Sequence, residues 1–202
     1  MASVYDLKPR FVALLRPIAA RLAAGGVTAN AVTLAAMLGS VLVGLILSIW
    51  PDCQRLWLIL PVFLFLRMAA NAIDGILARE FAMKSRLGAI LNEVGDVVSD
   101  TALYLPFALL AGVNGLWVVL AVIVAIIGEM TGVLGQVIGA TRRYDGPMGK
   151  SDRAAVFGIL GFAIGLGLPL GAWINWAMIA VTLLGVVTLL NRARRALAET
   201  PK

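Results

Sequence analysis

The chain contains no histidine and a single cysteine, Cys53. Zinc sites, disulfide frameworks and imidazole acid–base chemistry are thereby excluded, and Cys53 is expected in a loop. Charge is scarce too. Charged residues make up 14% of the chain against 61% hydrophobic, a balance unlike that of soluble domains and expected of a polytopic membrane protein. The net charge of +6 comes from cations scattered in loops between long apolar runs, so the bilayer and not nucleic acid is the expected partner. The N-terminal segment is interrupted by charges and lacks a plain apolar core, so no cleavable signal is expected. No internal repeat is visible, which disfavours an inverted-repeat transporter.

What is present predicts an all-α fold forming one domain over 1–202. Residues 4–24 interleave Lys8, Arg10, Arg16 and Arg21 with apolar positions at helical spacing, as in an amphipathic helix lying on the membrane surface. Six transmembrane spans are expected at 31–50, 56–78, 87–110, 116–138, 154–170 and 172–190, each bounded by a charged or turn-forming break. Thr28 or Asn30 is positioned to cap the first span. The fourth presents Gly128, Gly132, Gly135 and Gly139 on one face, where another helix can approach closely. If that face is exposed it favours a homodimer; monomer and homodimer are both left open. Glu129 beside it either pairs with an arginine or positions a substrate. Every Lys and Arg except Arg55 and Arg67 falls in the N-terminal segment, the loops at 79–86 and 139–153, or the C-terminal tail. Under the positive-inside rule both termini of this integral membrane protein are cytoplasmic.

The polar residues concentrate in 71–100. Arg67, Asn71, Asp74 and Ala78 share one face of the second span, and Gly88, Asn92, Asp96 and Asp100 share one face of the third, with Glu93 beside them. A carboxylate at membrane depth costs ~2.5–3.5 kcal/mol on insertion scales, so several on neighbouring helices require a cation, water or a basic partner. Two readings meet that need. In one the stripes form a solvated cleft in which Arg67 neutralises Asp74. In the other, oxygen ligands without His or Cys hold a hard divalent cation, magnesium, manganese or calcium.

The same stretch resembles the signature of the CDP-alcohol phosphotransferases (CDP-alcohol phosphatidyltransferases), membrane enzymes that join a CDP-linked lipid to an alcohol. Asp74-Gly75, Ala78-Arg79, Gly88 and Asp96 fall on that signature with its spacing, whereas Asn71 and Asn92 stand where the family has Asp. The TAN-AVT segment is similar to the family's entry to the first span, so Asn30 and Thr33 are either caps or nucleotide contacts. The resemblance implies that Asp74, Asp96, Asn71 and Asn92 hold Mg2+ or Mn2+, one ion or two, and that Asp96 acts on the acceptor hydroxyl. It further implies that Gly75, Ala78, Arg79 and Gly88 meet the nucleotide, with Arg142, Arg143, Lys150 and Arg153 as cations for phosphate. Arg67, Glu93, Asp100 and Glu129 are accessory candidates. The implied reaction moves a phosphatidyl group from a CDP-linked lipid to an alcohol in a cleft open to the cytosol, releasing CMP for phospholipid synthesis. The two Asn leave a second reading, a silent lipid- or nucleotide-binding membrane protein of the same fold. The acceptor, whether glycerol phosphate, inositol phosphate, serine or a simpler alcohol, is not specified by the sequence.

Overall fold

A computed structural model describes residues 4–200, with side chains described from residue 11 onward. The expectations for Lys8, Arg10 and the last two residues of the tail lie outside the described residues. Among the described residues the chain is all-helical, with no strand: α1 Val4–Ala24, α2 Ala29–Ile49, α3 Ile59–Glu80, α4 Arg86–Tyr104, α5 Gly115–Val137, α6 Lys150–Gly165 and α7 Ala172–Glu199. Short 3-10 turns at Gln54–Leu58 and Leu105–Leu109 precede α3 and follow α4.

Local chemistry sets these boundaries. The Thr28 hydroxyl accepts the Ala31 N–H at 3.2 Å and caps α2, a role that Asn30 and Thr33, already inside the helix, do not fill. Pro106 in the second 3-10 turn has no N–H to give an α-helical bond, so α4 ends at Tyr104. Asn114 caps α5 by accepting the Leu116 N–H at 3.1 Å. The Asp152 carboxylate accepts the Gly149 N–H at 3.0 Å, which starts α6 at Lys150, earlier than the expected 154. Beyond the expected end at 190, the Arg, Ala and Leu of the tail are strong helix formers, and α7 runs on to Glu199.

Among the described residues four segments are long and apolar enough to cross a membrane, namely Ala29–Ile49, Gln54–Glu80, Gly115–Val137 and Ala172–Glu199, and they make this an integral membrane protein. The other two expected spans differ for separate reasons. α4 has 19 residues but carries Arg86, Glu93, Asp96 and Asp100. α6 has 16 residues, about 24 Å of helix at 1.5 Å per residue, which is shorter than a hydrocarbon core of about 30 Å.

The chain divides into two compact units, with boundaries inside α2, α3 and α4. The first comprises the described residues up to Leu42 and Phe63–Ser99. Its core joins Leu15 and Ala19 of α1, Ala29 of α2, and Ile73, Ile76 and Leu77 of α3. Leu14 and Ile18 on α1 remain exposed, and Arg16 pairs with Glu80 at 3.1 Å.

The second unit comprises Val43–Val62 and the described residues from Asp100 onward. Its aromatic centre stacks Tyr104 on Phe157 at 3.9 Å, with Phe107 edge-on to both Phe157 and Trp57. The buried Trp57 satisfies its indole N–H on the Pro51 carbonyl at 2.8 Å. The glycine face of α5 lies in this unit, and its main cover is backbone. A Cβ at Gly132 would stand 2.7 Å from the Arg143 carbonyl, so the 138–149 connection lies directly on α5. Ala196 of α7 closes over Gly135 at 3.5 Å. Gly128, Gly132 and Gly135 are thus buried within the chain, which removes that face as a reason to expect a homodimer. Farther along, Gly146 at φ +131 presses against Thr188, a conformation and a closeness that a side chain would forbid. The Met148 N–H donates to the Thr188 hydroxyl at 2.8 Å.

Candidate functional site

The first unit gathers much of the motif. Asp74 on α3 is buried, and its Oδ2 accepts the hydroxyl of Thr33, also buried, at 2.8 Å. The Ala29 carbonyl, 3.1 Å from the same hydroxyl, is the other acceptor within reach of its single proton. On the same face of α3, buried Arg67 donates to Asp96 of α4, reaching its carbonyl at 3.2 Å and its Oδ1 at 3.3 Å. Asn71 adds its amide N–H to the same Oδ1 at 3.5 Å. Arg67, expected beside Asp74, thus has Asp96 as a partner. Asn92 is half-buried one helical turn before Asp96, and Glu93 is half-buried beside it.

The nucleotide-site candidates on these helices have more specific neighbours than spacing could show. Asn30 donates to the Ser85 hydroxyl at 3.3 Å, and that hydroxyl accepts the Gly88 N–H at 2.9 Å at the start of α4. A Cβ on Gly88 would come 2.6 Å from the side-chain Oδ1 of Asn30, so the bare glycine is what lets α4 begin against Asn30. Arg79 is exposed and folds back along α3, where a Cβ on Gly75 would stand 2.9 Å from its Nη2. Ala78 is half-buried and packs against the core of this unit.

Among the described residues no three His, Cys, Asp or Glu side chains cluster as a metal site. A cation in the first unit would therefore need amide or hydroxyl oxygen beside carboxylate. Asp74, Asp96, Asn71 and Asn92 offer side-chain oxygens, two of them on carboxylates, the donor chemistry that a hard divalent ion takes.

Asp100 shares the stripe of Gly88, Asn92 and Asp96 by spacing, yet its partner belongs to the second unit. Arg153, 3% exposed, donates Nε and Nη2 to Asp100 Oδ2 at 3.2 and 2.9 Å, and the same Nη2 to Glu129 Oε1 at 2.9 Å. Arg192, 2% exposed, places Nη1 2.7 Å from the Gly128 carbonyl and 3.3 Å from Glu129 Oε2. Arg142 reaches Glu129 Oε2 at 3.5 Å and lies over the Tyr144 ring. Glu129 is therefore the meeting point of three guanidinium groups.

Arg192 is the functional candidate that sequence reasoning missed, because it was counted with a basic tail. The available signal was periodicity, since Gly185, Thr188, Arg192 and Ala196 recur at helical spacing and all face inward. Arg143 is engaged elsewhere. It donates to Asp145 at 2.9 Å and to Glu199 at 2.6 Å, while Arg195 reaches Asp145 at 2.8 Å, tying the 138–149 connection to the end of α7. Burial raises the Asp145 carboxyl, but the hydrogen bond and charge of Arg143, with the charge of Arg195, outweigh it and hold the group below its ordinary range. The hydrogen bond to Asp145, with help from Glu199, raises the Arg143 guanidinium above its usual value. Lys150, half-buried, opens α6.

Known proteins resemble this chain in sequence and in fold. Over 96% of its length the chain is 47% identical to the inner membrane protein YnbA of Escherichia coli, of which 96% is covered. It is 28% identical to a phosphatidylinositol phosphate synthase of Streptomyces avermitilis, over 94% of this chain and 83% of that one. The fold matches the crystal structure of the Mycobacterium tuberculosis phosphatidylinositol phosphate synthase with CDP-DAG bound, at a TM-score of 0.73 and 19% identity, covering 90% of this chain and 92% of that one. The same enzyme in complex with manganese and citrate gives a TM-score of 0.72, 19% identity and coverage of 90% and 88%. The family model described as CDP-alcohol phosphatidyltransferase matches residues 26–188, most of the described chain, and the protein belongs to that family.

Proposed function

We propose that the protein transfers a phosphatidyl group from a CDP-linked lipid, such as CDP-diacylglycerol, to an alcohol and releases CMP. The observation that carries this reading is the pairing of motif carboxylates with fixed polar neighbours, Asp74 with Thr33 and Asp96 with Arg67 and Asn71. A phosphatidylinositol phosphate synthase of the same fold holds CDP-DAG in one crystal and manganese in another. Both are chemically consistent with the all-oxygen donor set here.

In the proposed reaction the acceptor oxygen forms a bond to the lipid-side phosphorus while that phosphorus loses its bond to the CMP oxygen. The hydroxyl proton passes to Asp96, whose carboxylate Arg67 and Asn71 hold in one orientation. Arg79, exposed and folded along Gly75, is placed to meet a phosphate group. Magnesium or manganese held by Asp74, Asp96, Asn71 and Asn92 supplies neutralisation of the diphosphate charge. With amides at two of the four positions, one ion is the reading we favour. The silent alternative rests on those same amides.

Purified protein given CDP-diacylglycerol, magnesium or manganese and a panel of alcohols should release CMP, lose that activity in EDTA and regain it with metal. Metal titration should follow a single-site curve. No CMP with any alcohol would leave the silent reading standing.

The topology we propose has six spans, with α4 and α6 crossing despite their charge and length, α1 on the membrane surface, and both termini and the cleft facing the cytosol. A cysteine placed near Asn114 should label from outside the cell and one near Asp145 should not; the opposite pattern overturns this orientation.

A further inference from the structure

Arg67 lies within α3, far from the helix's basic end at Arg79, in a segment long and apolar enough to cross a membrane. A guanidinium does not deprotonate in proteins, so its charge there requires an anion held close by. Asp96 of α4 is that anion. Arg67, 4% exposed, donates Nη2 to the Asp96 carbonyl at 3.2 Å and to its Oδ1 at 3.3 Å. Asn71, one turn along α3 on the same face, donates its amide N–H to the same Oδ1 at 3.5 Å. That oxygen thus receives two donors, one for each of its lone-pair directions.

We infer that Arg67 is a resident cation of the motif site, balancing at Asp96 the charge that a second divalent ion would otherwise balance, and so limiting the site to one ion. This rests on the metal site of the reading above and not on the transfer reaction. Two observations support it. The first is geometric: a metal ion on Asp96 Oδ1 would have to displace both Arg67 and Asn71 from it. A carboxylate in place of Asn71 would set two like-charged oxygens about 3.5 Å apart, which is stable only with a further cation or a proton between them. The amide at 71 and the arginine at 67 are therefore one arrangement, a carboxylate compensated by the chain itself. The second is charge. Arg67, Asp74 and Asp96 together carry one net negative charge, and Asn71 and Asn92 add none. One divalent ion turns that to a single positive charge, whereas a second would raise it to three with nothing among these side chains to offset it, at a place where uncompensated charge is costly.

The test uses the full-length protein in detergent with Mn2+ alone as the probe, read by loss of the free-ion paramagnetic resonance signal and by thermal unfolding, so no substrate is needed. The parent should bind one Mn2+ per chain. Arg67→Met, which keeps an apolar stem and removes the charge, should bind Mn2+ on the order of tenfold more tightly, with a larger metal-dependent rise in melting temperature than the parent shows. Arg67→Lys, which keeps the charge, should stay within about threefold of the parent. Arg67→Met combined with Asn71→Asp, which exchanges a cation for a carboxylate, should bind two ions. An arginine that served packing alone would give the opposite result, since its loss would loosen the site and weaken metal binding. Two ions on the parent, or none, overturns the inference without any variant. Unchanged or weaker binding in a folded Arg67→Met, or a single ion on the folded double variant, also overturns it. CMP release separates this from the transferase reading: tighter Mn2+ binding in Arg67→Met with no CMP from the parent and any alcohol removes the transferase alone, and CMP release with unchanged Mn2+ affinity in that variant removes the inference alone.

Discussion

The two units solve the same problem, carboxylates in an apolar protein, in opposite ways. In the first, Asp96 is met by Arg67 and Asn71 at 3.3 and 3.5 Å, and Asp74 is met by the hydroxyl of Thr33. In the second, Asp100 and Glu129 face three arginines, with the closest contacts at 2.9 Å. Asp96 is thus held at 3.3–3.5 Å and Asp74 by a neutral hydroxyl, whereas the second unit closes its carboxylates with charge-assisted bonds of 2.9 Å to a buried guanidinium. The proposed chemistry rests on the first pair, and the second holds helices together.

The sharpest way to break this contrast is to remove one carboxylate of the first unit. Asp96→Asn keeps shape and hydrogen bonding but cannot take a proton. CMP release should fall by roughly 10²–10⁴-fold, the range for losing a general base, while the melting temperature changes little. Asp74→Ala should be equally inactive at any magnesium concentration. Retained activity in either would move the chemistry away from this unit.

Arginine removal should give the reverse pattern. Arg153→Ala removes the buried cation that Asp100 and Glu129 share, leaving Arg192 and Arg142 on Glu129, and should cost about 3–5 kcal/mol of stability, read by denaturant unfolding in micelles. Arg67→Ala leaves Asp96 half-exposed and should cost less, roughly 1–2 kcal/mol. Equal losses would erase the distinction between the two clusters.

What was legible in the sequence follows the same division. Asp74 and Asp96 stood out because short-range helical spacing fixes which side chains share a face. Spacing also groups Asp100 with them, but a shared face does not say which neighbour is met one turn farther along. Arg153 supplies that neighbour from a distant part of the chain, at 53 residues' separation. The helices themselves were legible from apolar runs between charged breaks. The 3-10 turn at Leu105–Leu109 and the length of α7 were not, since they depend on a proline's missing N–H and on an inward-facing arginine that composition assigns to the surface.

The smallest expected effect concerns the tie between the 138–149 connection and α7. Because Asp145 titrates below its ordinary range when folded, its contribution is fully present above the unfolded value, about 3.9, and is lost as pH falls through the lower folded value. Arg143, shifted upward, stays charged throughout. Amide exchange in the connection, corrected for intrinsic rates, should be flat from pH 5 to neutral and rise only in stronger acid. Asp145→Asn should bring a roughly twofold to fivefold faster exchange to neutral pH, as expected for a half-buried ion pair near the protein surface.

The glycine face of α5 has a consequence for biosynthesis. Its cover is made of later residues: Arg143 lies over Gly132, Ala196 over Gly135, and Arg192 bonds the Gly128 carbonyl. A ribosome adding ~5–20 residues per second needs several seconds to travel from α5 to the end of α7. During that interval the helix sits in the bilayer with a bare small-residue groove, open to any neighbouring helix. Completion of the C-terminal helix converts the groove into interior and removes it from competition.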